Sequence, residues 1–96
     1  MDPEKTTIAT ADVVSSTAGR DQGELFYVLE TDDQFVTLVN GRNRPVEKPK
    51  RKKRKHVEKV LRSETRVAAK LFSGDKVLNG ELRRDLAFLA RETASE

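Results

Sequence analysis

Six consecutive cationic residues, Lys50–Lys55, have the clearest chemistry in this sequence. Ammonium and guanidinium groups bind phosphate oxygens, and each phosphate that is neutralised releases counterions. The run lies between a strand-like and a helix-like segment, so folded neighbours should hold it against one face of a small domain. A fixed row of cations favours a polyanionic partner, RNA or DNA. The alternatives are a solvated charge run and a nuclear import signal.

The distribution of charge along the chain favours the same interpretation. Residues 1–41 carry two basic and eight acidic side chains, residues 42–62 carry eleven basic and two acidic, and residues 63–96 carry six of each. The formal net charge of +3 therefore conceals a concentrated basic centre. Such asymmetry is typical of proteins that contact nucleic acid or anionic membranes.

Four residues outside the basic run could bind an unpaired nucleotide. Arg20 lies in the loop 19–23, where a guanidinium and backbone N–H groups could meet a phosphate or a base, or could simply form an ordinary turn. Phe26, Tyr27 and Phe35 could stack on bases, but we expect most of the five aromatic side chains to fill the core. Tyr27 is the best stacking candidate because its hydroxyl needs water or a partner.

Enzyme chemistry has little support. His56 is the only histidine and the chain has no cysteine, so we expect no metal site. Ser15 and Ser16 lack a nucleophile turn, and the loop 19–23 is not a phosphate-binding loop with its lysine. The acidic residues 32–33 fit a turn better than an acid–base pair. We therefore expect no catalytic activity and no cofactor, and we interpret His56 as a strand or RNA-contact residue.

Length and composition predict one small soluble domain. The chain has 96 residues, of which 35% are hydrophobic and 36% are charged, so its core must be small. No apolar stretch approaches the ~20 residues that span a bilayer, and residues 1–5 lack the features of a secretory signal. We expect a cytoplasmic monomer without membrane contact or a small-molecule substrate.

Residues 13–39 show the pattern of an antiparallel meander. A β-prone run at 13–16 is followed by an apolar run at 25–29, whose consecutive apolar positions indicate a strand covered on both faces. A third run follows at 34–39. Turns separate these strands, and three glycines are expected to be structural turn residues: Gly19, Gly23 and Gly41.

The segment after the meander is harder to interpret. Pro45, Pro49 and the dense positive charge argue against a central strand, so we predict at most a short edge strand at residues 46–48. Residues 56–60 then close the sheet. Residues 1–11 are small and polar and are predicted to form a mobile tail.

The C-terminal segment, residues 61–92, predicts two helices, and residues 93–96 are expected to fray. Ser63 can cap the first helix, which carries an apolar face and ends at Gly74. Asn79 can cap the second helix, in which leucines recur at i, i+4 and i+7. The apolar residues predicted for the first helix are Val67, Ala68, Leu71 and Phe72, and those for the second are Leu82, Leu86 and Leu89, flanked by Phe88.

The segment from residue 13 to residue 41 resembles a KOW motif. It contains a first strand, a glycine-bearing loop at residues 19–23 and the two following apolar strands, and Gly23 stands where the KOW family places its required glycine. The similarity covers roughly residues 12–60 and is closest to eukaryotic-type large-subunit ribosomal KOW proteins and their short bacterial relatives. The basic run before His56 and the sequence at residues 79–83 also resemble those bacterial proteins. Glu24 departs from the pattern, because Lys or Arg often follows the key glycine.

The resemblance implies a small SH3-like barrel of four or five antiparallel strands followed by two short C-terminal helices, an α+β domain. It also implies RNA binding, with ribosomal RNA or the large ribosomal subunit of a bacterial cytoplasm as the partner. We expect one continuous positive surface that contacts mainly phosphates. The alternative is a protein-interaction adaptor that binds an acidic partner. The expected RNA-binding residues are Arg20, Arg42, Arg44, Lys48, Lys50, Arg51, Lys52, Lys53, Arg54, Lys55, His56 and Lys59.

Overall fold

The computed structural model describes residues 7–94, which form an antiparallel sheet of five strands followed by two helices. This confirms the α+β class and the two C-terminal helices. A 3-10 turn at Arg54–His56 joins the last two strands. The strands are β1 (Asp12–Ser16), β2 (Leu25–Thr31), β3 (Phe35–Val39), β4 (Lys50–Lys53) and β5 (Val57–Arg62), and the helices are α1 (Arg66–Ser73) and α2 (Asn79–Ala94).

The strand order in the sheet is β4-β3-β2-β1-β5. The first four strands are a meander, and β5 returns to pair with β1 in antiparallel register, with a register shift between Val13 and Val14. The two edge strands are therefore β4 and β5. The basic run contributes β4 and the 3-10 turn, so it is held on one edge of the folded sheet.

Strand β2 separates two hydrophobic clusters. Phe26 and Val28 lie in one cluster, which is filled by side chains of the strands and by Ile8. Tyr27 lies in the other cluster, between the sheet and the helices. All three side chains are 0% exposed, which confirms that this strand is covered on both faces.

The helices form at the predicted places, but both predicted caps and the Phe72 side chain differ. Asn79 is the first residue of α2, and its side-chain oxygen accepts from the Val46 N–H instead of capping the helix. Thr65, and not Ser63, caps α1, because the Thr65 side chain accepts a hydrogen bond from the Ala68 N–H. Gly74 ends this helix in the left-handed conformation with φ of +78°. Phe72 and Phe88 are 76% and 47% exposed, so neither belongs to the buried face.

The edge strand predicted at residues 46–48 is wrong. These residues form a turn, in which the Lys48 N–H donates to the Pro45 carbonyl at 2.9 Å. The Val46 N–H donates to Asn79 Oδ1 at 2.9 Å, which fastens the turn to the start of α2. The strand begins four residues later than predicted, at Lys50, because an edge strand tolerates dense charge on its exposed side.

Part of the predicted N-terminal tail is packed against the sheet. Ile8 and Ala11 are 7% and 6% exposed, and the Ala11 N–H donates to the Val28 carbonyl at 2.8 Å. Residues 1–6 lie outside the described residues, as do residues 95–96. Residues 93 and 94, predicted to fray, are helical. Within residues 7–94, no helix combines the length and the apolar character needed to cross a bilayer.

Candidate nucleic-acid interface

Strand β4 divides the basic run between two faces of the sheet. In the register of β3 and β4, Val36 lies opposite Lys52 and Leu38 lies opposite Lys50. Val36 and Leu38 are 0% exposed and point into the cluster among the strands. Because side chains alternate along a strand, Lys50 and Lys52 point inward with them, and we call these two lysines the inner pair. The intervening Arg51 points outward.

Lys52 is a buried lysine, with only 8% of its surface exposed. Its ammonium group donates to Ser16 Oγ at 2.6 Å, to the Ala18 carbonyl at 2.7 Å and to Asp21 Oδ1 at 2.7 Å. All three donor hydrogens therefore have acceptors, which is what an ammonium group removed from water requires.

Asp21 holds the inner pair from the β1–β2 loop. It is 6% exposed, and its second oxygen, Oδ2, accepts from Lys50 Nζ at 2.8 Å. Burial alone would raise the pKa of Asp21, but the hydrogen bonds from Lys50, Lys52 and Ser16 outweigh it and hold the pKa well below its ordinary value. Asp21 is therefore a carboxylate at neutral pH, and Lys52, which is buried with all three donor hydrogens in use, is not available to a phosphate.

Three cations of the run point to solvent, and we call Arg51, Lys53 and Lys55 the outer cations. Arg51 pairs with Asp32 at 3.0 Å, and its side chain is 62% exposed. Lys53 and Lys55 line a cavity of about 320 Å³ and have no acidic partner among residues 7–94. These three side chains can reach a polyanion without breaking a buried contact.

The residues that flank the outer cations are partly engaged in the fold. Arg54 donates from Nη1 to the Asp32 carbonyl at 3.1 Å and from Nη2 to the Ile8 carbonyl at 3.0 Å. His56 is half-buried, and its backbone carbonyl accepts from the Thr17 N–H. Lys59 is half-buried and pairs with the buried Asp12 at 3.2 Å.

The remaining predicted contacts come from loops. Arg20 and Lys48 are exposed, and Arg20 lies next to Asp21 in the loop that covers the inner pair. Arg42 is exposed and Arg44 is half-buried, both in the turn after β3. The expectation of one continuous positive surface through residues 48–55 is wrong at Lys52, which is buried and paired with Asp21, whereas the Lys50 side chain stays 27% exposed.

The stacking role suggested for Tyr27 is also wrong. Tyr27 is 0% exposed, and its hydroxyl donates to Asp85 and lies 2.8 Å from Ser63 Oγ. The Thr65 hydroxyl also donates to Asp85, at 2.9 Å. Burial and the Asp85 hydrogen bond raise the pKa of Tyr27 to about 12. The hydrogen-bond partners of this hydroxyl lie inside the protein, and these contacts connect β2 to α2 and to the start of α1.

The turn glycines position this arrangement. Gly19 and Gly23 have φ of +85° and +89°, which favours glycine, and they flank Asp21 in the β1–β2 loop. Gly41, with φ of +77°, also faces a tight contact, since a Cβ there would lie 2.3 Å from the Asn79 carbonyl oxygen. A side chain at Gly41 would therefore push α2 away from the sheet.

Sequence reasoning missed two functional features of this edge. The first is Asp21 as the acidic partner of the inner pair. The strand period of two would have indicated that alternate lysines point inward, had β4 been placed correctly. The second is a contact between Arg51 and Phe35, whose ring centroid lies 3.9 Å from the guanidinium carbon. Phe35 was expected in the core, but it lies half-buried on the outer face.

No known family model matches this chain, and no curated protein matches it.

Proposed function

We propose that this chain is a non-enzymatic RNA-binding protein, with ribosomal RNA as the partner, in a bacterial cytoplasm. The observation that carries the proposal is the pair Lys53 and Lys55, exposed and without an acidic partner among the described residues, beside the equally exposed Arg51. Cations that the fold leaves unsatisfied gain most from phosphates. Contacts to phosphate alone would give low sequence selectivity.

We also propose that the sheet belongs to a KOW domain of the SH3-like barrel type. Strands β4 and β1 are three positions apart in the sheet, which is about 14 Å in a flat arrangement. Yet Lys52 on β4 hydrogen-bonds Ser16 on β1 at 2.6 Å. This contact across the interior supports a strongly curved sheet, as a partly open barrel requires.

The proposal predicts a defined salt dependence for binding to large-subunit ribosomal RNA. If the outer cations engage two or three phosphates, affinity should fall roughly 7- to 40-fold between 50 and 200 mM salt. Changing Arg51, Lys53 and Lys55 together to Gln should lower the slope of log K against log salt by about 1–3. Thermal stability should stay unchanged, because these side chains are exposed.

A matched control removes the same charge elsewhere. Arg66, Lys76 and Arg91 are exposed on the helical side of the protein, and changing all three to Gln lowers the net charge equally. That variant should keep most of the affinity and the salt slope. Equal losses in both triple variants would show that only net charge matters, and absence of binding at 50 mM salt would contradict the proposal.

The alternative is an adaptor that binds an acidic protein. An open groove of about 930 Å³ between residues 7–12, β5 and α1 has the exposed Phe72 in its wall, and apolar exposure of this kind favours protein contact. Co-sedimentation with the large ribosomal subunit separates the two functions. An adaptor would be absent from the fractions that contain the subunit and would bind an acidic peptide.

A further inference from the structure

Arg51 and Phe35 form a stacked pair on the outer face of the sheet. Phe35 lies opposite Lys53 and Thr37 lies opposite Arg51, so the Arg51 side chain is the diagonal neighbour of the Phe35 ring. The guanidinium carbon lies 3.9 Å from the ring centroid, a cation–π contact. One face of the guanidinium is covered by the ring. Because the Arg51 side chain is 62% exposed, the other face is open to solvent.

The plane of this guanidinium is fixed by a second contact. Arg51 Nη2 donates to Asp32 Oδ2 at 3.0 Å. Asp32 is itself held by the β2–β3 turn, because its Oδ1 accepts from the Gln34 N–H at 3.0 Å and the Phe35 N–H at 2.8 Å. These two backbone hydrogen bonds, and then Arg51, lower the pKa of Asp32, so the pairing carboxylate is charged at neutral pH. The guanidinium is thus a flat, oriented surface and not a freely rotating cation.

The surroundings of the stacked pair separate a base site from a phosphate site. Asp32 and the exposed Asp33 place negative charge at the turn end, which disfavours phosphate there. Lys53, Arg54 and Lys55 place positive charge along the adjoining cavity of about 320 Å³, and these three cations outnumber Asp33, which also lines it. Its volume is at the lower end of the range for small-ligand sites. A nucleotide that fits both features would put its base against Arg51 and its phosphate against the two lysines.

We propose that the Arg51–Phe35 pair is a stacking site for one unpaired RNA base, with the adjoining phosphates bound by Lys53 and Lys55. This rests on the proposed RNA binding and specifies its substrate as a loop, bulge or single strand. Unpaired bases stack on aromatic rings and on arginine planes, whereas a regular RNA duplex keeps its bases inside and presents phosphates and 2′-hydroxyls. The site therefore prefers unpaired over duplex RNA.

The test compares an RNA hairpin that has an unpaired loop with a fully paired duplex of equal length and charge, at 100 mM salt. The unchanged protein should bind the hairpin roughly 5- to 100-fold more tightly. Arg51→Lys keeps the positive charge but removes the planar group, so it should lose most of this preference while binding the duplex normally. Arg66→Lys is the matched control, because it makes the same exchange at an exposed position on the helical side of the protein, and it should retain the preference.

The outcomes distinguish this inference from the function on which it rests. Equal binding of hairpin and duplex by the unchanged protein, or an undiminished preference in Arg51→Lys, would overturn the stacking site and leave RNA binding intact. Binding to neither RNA would overturn both. Melting temperatures of the two variants should match that of the unchanged protein, because Arg51 and Arg66 are exposed.

Discussion

The two faces of β4 carry the same residue types in opposite surroundings. On the inner face, Lys52 is 8% exposed and donates three hydrogen bonds to the β1–β2 loop and the end of β1. On the outer face, its neighbours Arg51 and Lys53 are exposed. The inner pair therefore contributes to folding, whereas the outer cations are free to contribute to binding.

This difference shows that a charge run has no single role when it becomes a strand. A period of two sends alternate side chains to opposite faces, whatever their chemistry. A cation that enters the interior needs a full set of partners, because an uncompensated buried charge costs several kcal/mol. A cation on the outer face has no such requirement and can exchange water for a ligand at little cost.

Removing one acidic partner from each face is the strongest test of this difference between inner and outer cations. Asp21→Asn should lower the free energy of unfolding by about 3 kcal/mol, because Lys52 then remains buried without its counter-ion. Asp32→Asn should leave the melting temperature unchanged, since the Asp32–Arg51 pair is solvated and Asn can still accept the turn hydrogen bonds. Urea unfolding of the two variants measures the difference.

Acid titration gives the same comparison a second readout. The pKa of Asp21 is lower in the folded protein than its ordinary value of 3.8, so its contribution is complete above that pH and is lost as the pH falls below it. The unfolding free energy of the unchanged protein should therefore fall more steeply below pH 4 than that of Asp21→Asn. Parallel curves, or equal stability losses in the two Asn variants, would show that the inner pair is not held as described.

The buried hydroxyl of Tyr27 tests the same difference at a site outside β4. Tyr27→Phe removes the hydroxyl that contacts Ser63 and Asp85, and it should lower the unfolding free energy by about 2 kcal/mol, because Asp85 loses a donor and buried Ser63 loses a hydrogen-bond partner. RNA affinity and the preference for unpaired RNA should not change, since Tyr27 is 0% exposed. If a fully folded Tyr27→Phe variant lost RNA affinity, Tyr27 would have to contact RNA, which contradicts its buried position.

Alkaline pH tests the same hydroxyl without changing the sequence. The pKa of Tyr27 is raised from 10 to about 12, so the unfolded chain loses this proton first and stability falls as the pH rises from 10 to 12. The contribution lost across this window is about 2–3 kcal/mol. Tyr27→Phe should show a shallower fall over the same window. Identical slopes would contradict the raised pKa.

The meander was predictable because its signals are local. Apolar runs, turn glycines and the leucine spacing of α2 each involve residues that are close in sequence, and each is found where the pattern placed it. The position of β4 was not predictable in the same way. It forms a strand because it pairs with β3, whereas the two prolines and the dense charge give this segment a low intrinsic propensity for a strand.

The candidate site depends on contacts that no local pattern contains. Asp21 and Lys52 are 31 positions apart, and Tyr27 and Asp85 are 58 positions apart, so only the curvature of the sheet and the docking of α2 bring them together. The run of cations was enough to predict that this surface is positively charged. Which cations are available, and that Arg51 stacks on Phe35, required the alternation of β4 and the register of the sheet.

The mildest test concerns the loop that brings Asp21 to the inner pair. Gly23 has φ of +89°, and no atom lies within 4 Å of the Cβ it would carry, so Gly23→Val should cost only backbone strain, about 1–2 kcal/mol. Gly80→Ala is the matched control in the first turn of α2, where φ is ordinary, and it should leave stability unchanged or slightly raised. Equal melting temperatures for the unchanged protein and Gly23→Val would contradict the turn geometry.

Combining Gly23→Val with Asp21→Asn shows whether the loop strain reaches the inner pair. The Glu24 N–H donates to the Asp21 carbonyl at 2.9 Å, so a distorted turn can displace the carboxylate. If it does, part of the Asp21 contribution is already lost in Gly23→Val, and the double variant loses less than the two single losses added together. If the losses add, the strain stays within the turn, and the hydrogen bonds from Lys50 and Lys52 are sufficient to hold Asp21 in place.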